Sequence, residues 1–368
     1  MVGRAGRFLG RESSGKLRYS ASLRRLAEQS GCNEAENLAI GAMLPVRILL
    51  SVVLVAGCGL ALVLPARSQS YPSRPITLVV PFPAGGGVDA MARIVAARLG
   101  ASLGQQIIIE NRGGVAGVIG TRAAAKAAPD GYTLVMSTSG TTSVNPSLYV
   151  NPGYDPLKDF TPVGLIASTP IVVMTHPSFP ARSIAELIAL AKQEPGKVDV
   201  GTPPAGTENY MAAELFKAMA GVDVTIVPYK GTGPLTNDLV GGHLKLAFNT
   251  LAPALGNIEA GRLRVIAVAS ATRVSLLPDV PTVIESGLPG FEAVVRYGLL
   301  VPAGTPRPII DLLNRELRQL VNTEETRQRI AANGGDPLTS TPEEYAADIE
   351  REAAKWAALI RKLGLRLE

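Results

Sequence analysis

The chain reads as an α/β protein of two lobes, each a mainly parallel sheet flanked by helices, with two hinge crossovers between them. Three observations predict this. Short apolar runs rich in Val and Ile recur about every 25–30 residues, with helix-period segments between them. Loops rich in glycine and proline follow these runs, and the chain holds 38 Gly and 28 Pro. Its 368 residues, 46% of them hydrophobic, are enough to build two cores.

The first 70 residues stand apart. Residues 43–70 place Arg47 before a largely apolar run that ends in Pro65 and small polar residues. This is the pattern of a secretory signal peptide, and the run is slightly short for a membrane-spanning helix. Residues 1–42 are polar and patternless, and Met43 is a better-placed start, so they read as an extension that is mis-called or disordered. The tetrapeptide VAGC (55–58) resembles the lipobox of bacterial lipoproteins, in which the Cys is lipidated. Apolar residues 60–64 follow where a polar tether is expected, which favours ordinary cleavage near 68–70 over lipidation at Cys58.

From Tyr71 the elements follow in order. A strand, ITLVV (76–80), leads into the loop PFPAGGGVD (81–89) and a helix with Val88, Met91, Val95 and Leu99 on one face. Next come a strand at 106–110, a second glycine loop at 111–117, a helix through 123–128 and a strand at 132–137. After a proline-rich stretch, 145–162, the pattern restarts with a strand at 171–175. A helix over 183–193 is capped by Ser183, with Glu186 three residues on. Further strands are expected at 198–201, 224–227, 244–248, 265–269 and 294–301. Two long helices close the chain. The last starts with Thr341 as cap, Pro342 at the first position and Glu344 at the third. If these helices complete the first lobe, that lobe is 71–170 with 297–368 and the second is 171–296, and the chain crosses near Ile171 and near Val294.

Composition narrows the function. The formal charge of +5 belongs entirely to residues 1–70, and residues 71–368 sum to zero. A nucleic-acid binder, which depends on neutralising phosphates, is disfavoured. Both cysteines, Cys32 and Cys58, lie in the leading segment, so the body has no disulfide or thiolate chemistry. Only His176 and His243 are present, with no metal-ligand spacing and no G-x-S-x-G. No catalytic set, metal or cofactor is expected.

Ligand chemistry points to the loops. Residues 81–89 sit at the carboxyl end of a strand and open a helix, where backbone N–H groups and the helix dipole suit an anion. Carboxylate is the preferred anion, with phosphate as the other candidate; the loop is not a P-loop, because no Gly-Lys-Ser/Thr follows. A tight turn without ligand is the alternative. Asp89 is an odd neighbour for an anion and also fits a helix N-cap. The second glycine loop is equally explained by helix–sheet packing. The hydroxyl-rich STSGTT (137–142) ends the third strand in the usual ligand crevice, or is a solvated loop. In the second lobe GTPPAGT (201–207) repeats the strand–loop–helix device, and Lys230 supplies a cation or is a surface lysine.

Seven segments in order resemble the extracytoplasmic receptors of tripartite tricarboxylate transporters, the Bug-type proteins. They are VPFPAGGGVD (80–89), ENRGG (110–114), PDGYTL (129–134), DFTPV (159–163), VPYKG (227–231), LPDVPT (277–282) and PAGTP (302–306). The resemblance implies a Venus-flytrap fold like that of periplasmic binding proteins. It also implies a Gram-negative periplasm, a small carboxylate or related ligand, and a pair of membrane permease subunits as partner. Ligand contacts carry over to Phe82, Ala84, Gly85, Gly86, Asp89 and Ser139, and opposite them to Thr202, Gly206, Thr207 and Lys230. A monomer without cofactor or nucleic acid is expected. Tyr210 stands where the family commonly has His, Lys245 and Asn249 where acids are frequent, and Arg296 where Trp is common. A cleft-facing Arg296 or Lys245 would favour a dianion; surface placement is the alternative. A receptor serving a sensor, or an exported enzyme acting on a phosphorylated substrate, remain as other readings.

Overall fold

The computed structural model describes residues 71–368, which fall within one compact unit, Gln69–Glu368. The expectations for 1–42, the signal segment and Cys58 lie outside the described residues. In chain order the elements are β1 (Ile76–Val80), α1 (Gly87–Leu103), β2 (Ile107–Asn111), α2 (Val118–Ala125), β3 (Thr133–Thr138), α3 (Asn145–Leu148) and β4 (Phe160–Thr175). Then follow α4 (Ile184–Gln193), β5 (Asp199–Thr202), α5 (Glu208–Ala220), β6 (Thr225–Pro228), α6 (Thr232–Val240), β7 (Leu246–Thr250), α7 (Leu255–Glu259) and β8 (Arg264–Val268). The chain closes with β9 (Val294–Pro302), α8 (Arg307–Val321), α9 (Glu324–Ala332), the short β10 (Asp336–Pro337) and α10 (Pro342–Leu363).

The strands form one path, β2-β1-β3-β9-β4-β7-β5-β6, with β8 and β10 also paired to β4. β1 runs parallel to β2 and β3, and β5 runs parallel to β6 and β7. β9 and β4 are antiparallel to their neighbours. The parallel strands therefore carry the ligand-type loops at their carboxyl ends, while β4 and β9 tie the sheet together.

β4 decides the architecture. Its first part, Phe160 to Pro170, pairs with β9, and its second part, Ile171 to Thr175, pairs with β7 and β8. The change of partners falls between Pro170 and Ile171. There Ala269 N–H donates to the Ile171 carbonyl, and Ala293 N–H donates to the Ala269 carbonyl. The apolar run predicts this strand from 171, with 145–162 as connection. The strand in fact starts at Phe160, and Pro162 is accommodated at a register shift between 162 and 164. Proline donates no ladder hydrogen bond and survives in a sheet at such irregularities.

A continuous apolar core runs through both halves of the sheet, with Phe216, Phe248, Phe291 and Trp356 among its largest buried side chains, and a separate cluster around Phe160 and Tyr345 lies under the first half. The last helix is placed by its sequence. Thr341 and Glu344 form a reciprocal capping box with Pro342 in the first turn. Tyr345, Ile349, Trp356 and Ile360 bury one face of it. At α4, Ser183 accepts the Glu186 N–H as expected, but the Glu186 carboxylate accepts from Arg182 rather than Ser183.

Candidate functional site

The loop after β1 is held open by its own side chains. Gly85 has φ +82, a left-handed conformation that favours glycine. Gly86 is the cap of α1 in extended geometry, so Asp89 is not the N-cap but the third helical residue. Asp89 is 3% exposed. Its carboxylate accepts Gly85 N–H at 2.9 Å, Arg93 Nε at 2.9 Å and Asn111 Nδ2 at 3.0 Å. Asn111 Nδ2 also donates to the Phe82 carbonyl. Burial alone would raise the Asp89 pKa. The bonds from Arg93, Gly85 and Asn111, with the Arg93 charge, win and hold it below the usual carboxylate value. Asp89 therefore shapes the loop, while Ala84 and Gly85 stay exposed beside the first amides of α1.

The neighbouring loops pack against this one. A Cβ on Gly113 would lie 2.9 Å from Pro83, and one on Gly120 would lie 2.8 Å from Pro81. Close packing thus accounts for the second glycine loop. Val115 and Ala116 there both have φ 48, a strained state for non-glycine residues that no sequence signal announced. The hydroxyl-rich segment after β3 is buried rather than solvated: Ser137, Thr138, Ser139, Thr141, Thr142 and Ser143 are all inside. Tyr297 on β9, register partner of Thr138, brings its hydroxyl within 3.5 Å of where a Cβ on Gly87 would stand. The Phe82–Asp89 loop and the Ser139 segment are thereby adjacent.

From the other half of the sheet, β5 ends at Thr202 and leads through Gly206 to α5. Thr207 caps that helix, accepting the Tyr210 N–H and donating to the Pro204 carbonyl. Gly206 has φ +96, and a Cβ there would meet Asn145 Oδ1 at 2.7 Å and the Ala116 Cβ at 2.9 Å. Tyr149 Oη donates to the Ala205 carbonyl at 3.1 Å. The glycine loops of the two halves thus meet along one junction.

Glu208, the first residue of α5, reaches across that junction. Its Oε1 accepts the Ser139 hydroxyl at 2.8 Å and the Gly140 N–H. Burial dominates its titration and raises the pKa, despite bonds from its own amide, Ser139, Gly140 and Thr138. No local signal marks this residue in the sequence, because an acid just inside a helix N-terminus has a sufficient local reason to be there. Asn145 Oδ1, Thr202 Oγ1 and Asn209 Nδ2 are buried without hydrogen-bond partners among the described residues.

The side-chain cations do not join this junction. Tyr229 N–H donates to the Thr202 carbonyl, which puts Lys230 just beyond the end of β5, exposed and in no ion pair with the described residues. Lys245 precedes β7 at the end away from Thr250 and bonds Ser178 Oγ at 3.0 Å, so it is a surface residue. Asn249 is buried and donates to Thr236. Tyr210 is half-buried, and burial, with the Glu214 carboxylate on its own helix, pushes its hydroxyl pKa up. Arg296, its side chain 15% exposed, is paired with Glu292, Asp348 and Glu352, so its charge is met by three carboxylates. His176 bonds Ser178 near the surface, and His243 is exposed. Among the described residues no cluster of His, Cys, Asp or Glu is arranged to hold a metal.

A mixed sheet bridged by β4, with helix-opening loops facing each other from its two halves, defines a two-lobed binding protein. Residues 91–365 match the tripartite tricarboxylate transporter family receptor, TctC, and the chain belongs to that family. It is 37% identical over 317 residues to Protein BugT of Bordetella pertussis, covering 86% of this chain and 97% of BugT. The periplasmic binding protein BugD superposes with a TM-score of 0.75 at 35% identity, covering 81% of this chain and all of BugD. An R. palustris protein solved with adipate gives 0.76 at 36% identity, covering 80% of this chain and 99% of that protein. MatC from Rhodopseudomonas palustris, with bound malate, gives 0.74 at 32% identity over 79% of this chain and all of MatC.

Proposed function

We propose that this protein is a periplasmic receptor that captures a small carboxylate between its lobes and delivers it unchanged to the permease subunits of a tripartite tricarboxylate-type transporter. The first lobe is 71–170 with 297–368, and the second is 171–296. Residues 43–70 direct export, and the body acts as a monomer without cofactor. The ligand acid rests on the backbone of the Phe82–Asp89 loop, with Ala84, Gly85 and Gly86 at the start of α1. Ser139 lies beside it, Thr202, Gly206 and Thr207 face it from the second lobe, and Lys230 stands at the rim.

One observation carries this reading: the strand-to-helix glycine loop of the second half packs on Ala116, Asn145 and Tyr149 of the first, where Gly117 lies against Phe82 of the first loop. That is where open α/β sheets bind ligands, and helix N-terminal amides there hold anions without a basic side chain. The adipate and malate bound to the two relatives agree with it.

A thermal-shift panel of C4–C10 dicarboxylates, citrate, aromatic acids and nicotinate tests the proposal. A ligand that binds only the native state raises Tm by mass action and is recovered intact. Gly86→Val should abolish the shift and leave the unliganded Tm nearly unchanged. Position 86 has φ −87, and a Cβ there meets only the Pro83 carbonyl at 3.7 Å. No shift with any acid, together with turnover of a phosphorylated compound, would sink the proposal.

A further inference from the structure

We infer that Glu208 is a resident occupant of one carboxylate seat in the junction, and that it restricts the receptor to ligands with a single anionic end. This rests on the carboxylate-receptor reading and narrows it.

Ser139 and Gly140 follow a parallel strand and offer a hydroxyl and a backbone N–H at the lobe junction. That is a seat for a carboxylate oxygen. In this chain the protein's own carboxyl fills it: Glu208 Oε1 accepts from both groups. The seat is taken whether Glu208 is ionised or protonated, since both forms accept these bonds. No Arg or Lys forms an ion pair with Glu208 among the described residues. A ligand carboxylate arriving at the same place must displace Glu208 and leave a buried carboxyl without donors, which is costly.

The first amides of α1 remain for one acid group. What the junction offers elsewhere is neutral. Asn145 Oδ1, Thr202 Oγ1 and Asn209 Nδ2 are buried and unpaired, and they flank the Gly206–Glu208 segment in space or in sequence. They match a hydroxyl or amide, which both donates and accepts, better than a second carboxylate. The cationic alternatives are engaged or outside: Arg296 is paired three times, and Lys230 is exposed. The ligand class is thus a small monocarboxylate with a neutral hydrogen-bonding far end, in contrast to the adipate and malate of the two relatives.

Isothermal titration of the purified protein with adipate, succinate and terephthalate, each against its own monoamide, tests this. The wild type should bind a monoamide about tenfold or more tightly than the parent diacid. Glu208→Ala, which empties the seat, should move that ratio about tenfold or more toward the diacid. Glu208→Gln, which keeps an acceptor there, should retain the wild-type order. Glu208→Ser provides a second emptied seat if Glu208→Ala folds poorly. A wild-type preference for the diacid, or an unchanged ratio in both emptied variants, overturns the inference. Binding of none of the six compounds, while another dicarboxylate or citrate still shifts Tm, overturns this inference alone. No response to any carboxylate overturns the receptor reading as well.

Discussion

Asp89 and Glu208 are both buried carboxyls in the first turn of a helix, and their surroundings drive their titration in opposite directions. Asp89 has Arg93, Gly85 and Asn111 on it, and its pKa is lowered. Its contribution to stability is present above the ordinary aspartate range and is lost as pH falls through the depressed value. Asp89→Asn should therefore cost Tm at about pH 7, and the gap should close toward about pH 3. Glu208 is raised by burial. The native state then favours its protonated form, and that contribution is lost as pH rises through the raised value. Glu208→Gln carries no such penalty. Its Tm relative to wild type should increase between about pH 4 and about pH 8, measured by thermal melts in matched buffers. A gap that is flat with pH in either variant would contradict the assigned environment. At the loop tip, Gly85→Ala should lose about 1–2 kcal/mol in denaturant melts, because φ +82 forces a side chain into the left-handed region.

Elements differ in how far the sequence disclosed them. The strand–loop–helix units at 76–103 and 199–220 were legible, because apolar runs, glycines and helix periodicity agree locally. The cap of α10 was legible for the same reason. The first half of β4 was not: Pro162 and Pro170 lie in it, and its pairing to β9 joins residues more than a hundred positions apart. The Ser139–Glu208 contact is equally non-local. Of the candidate site, the first loop is legible as an element; Asp89, expected as a ligand contact or a cap, instead ties the loop to Arg93 and Asn111, and Glu208 carries no local signal. Lys245 proved to be a surface residue, and Arg296 proved to be part of a charge cluster with α10. That helix closes the first half of the sheet through Trp356, which is 1% exposed. Trp356→Ala should cost about 3–5 kcal/mol by urea denaturation, from lost burial and the cavity left behind.

The described residues form two halves of one sheet sharing β4. A single strand that changes partners at Pro170 and Ile171, with a return path beside it through Ala269 and Ala293, is a narrow connection for a hinge. At the junction the polar contacts between the halves include Glu208 on Ser139 and Gly140, Tyr149 on Ala205, and Gly206 against Asn145. The glycines keep side chains out of this junction, so backbone amides and small polar groups face whatever enters. The central claim is that the receptor holds its ligand there by backbone amides rather than by basic side chains. The most direct test is a crystal structure of the protein with a carboxylate identified by thermal shift. The account predicts one carboxylate within hydrogen-bonding distance of the amides at 84–87, with Glu208 still on Ser139 and Gly140. A carboxylate held instead by Arg296 or Lys230, or bound outside the junction, would contradict it.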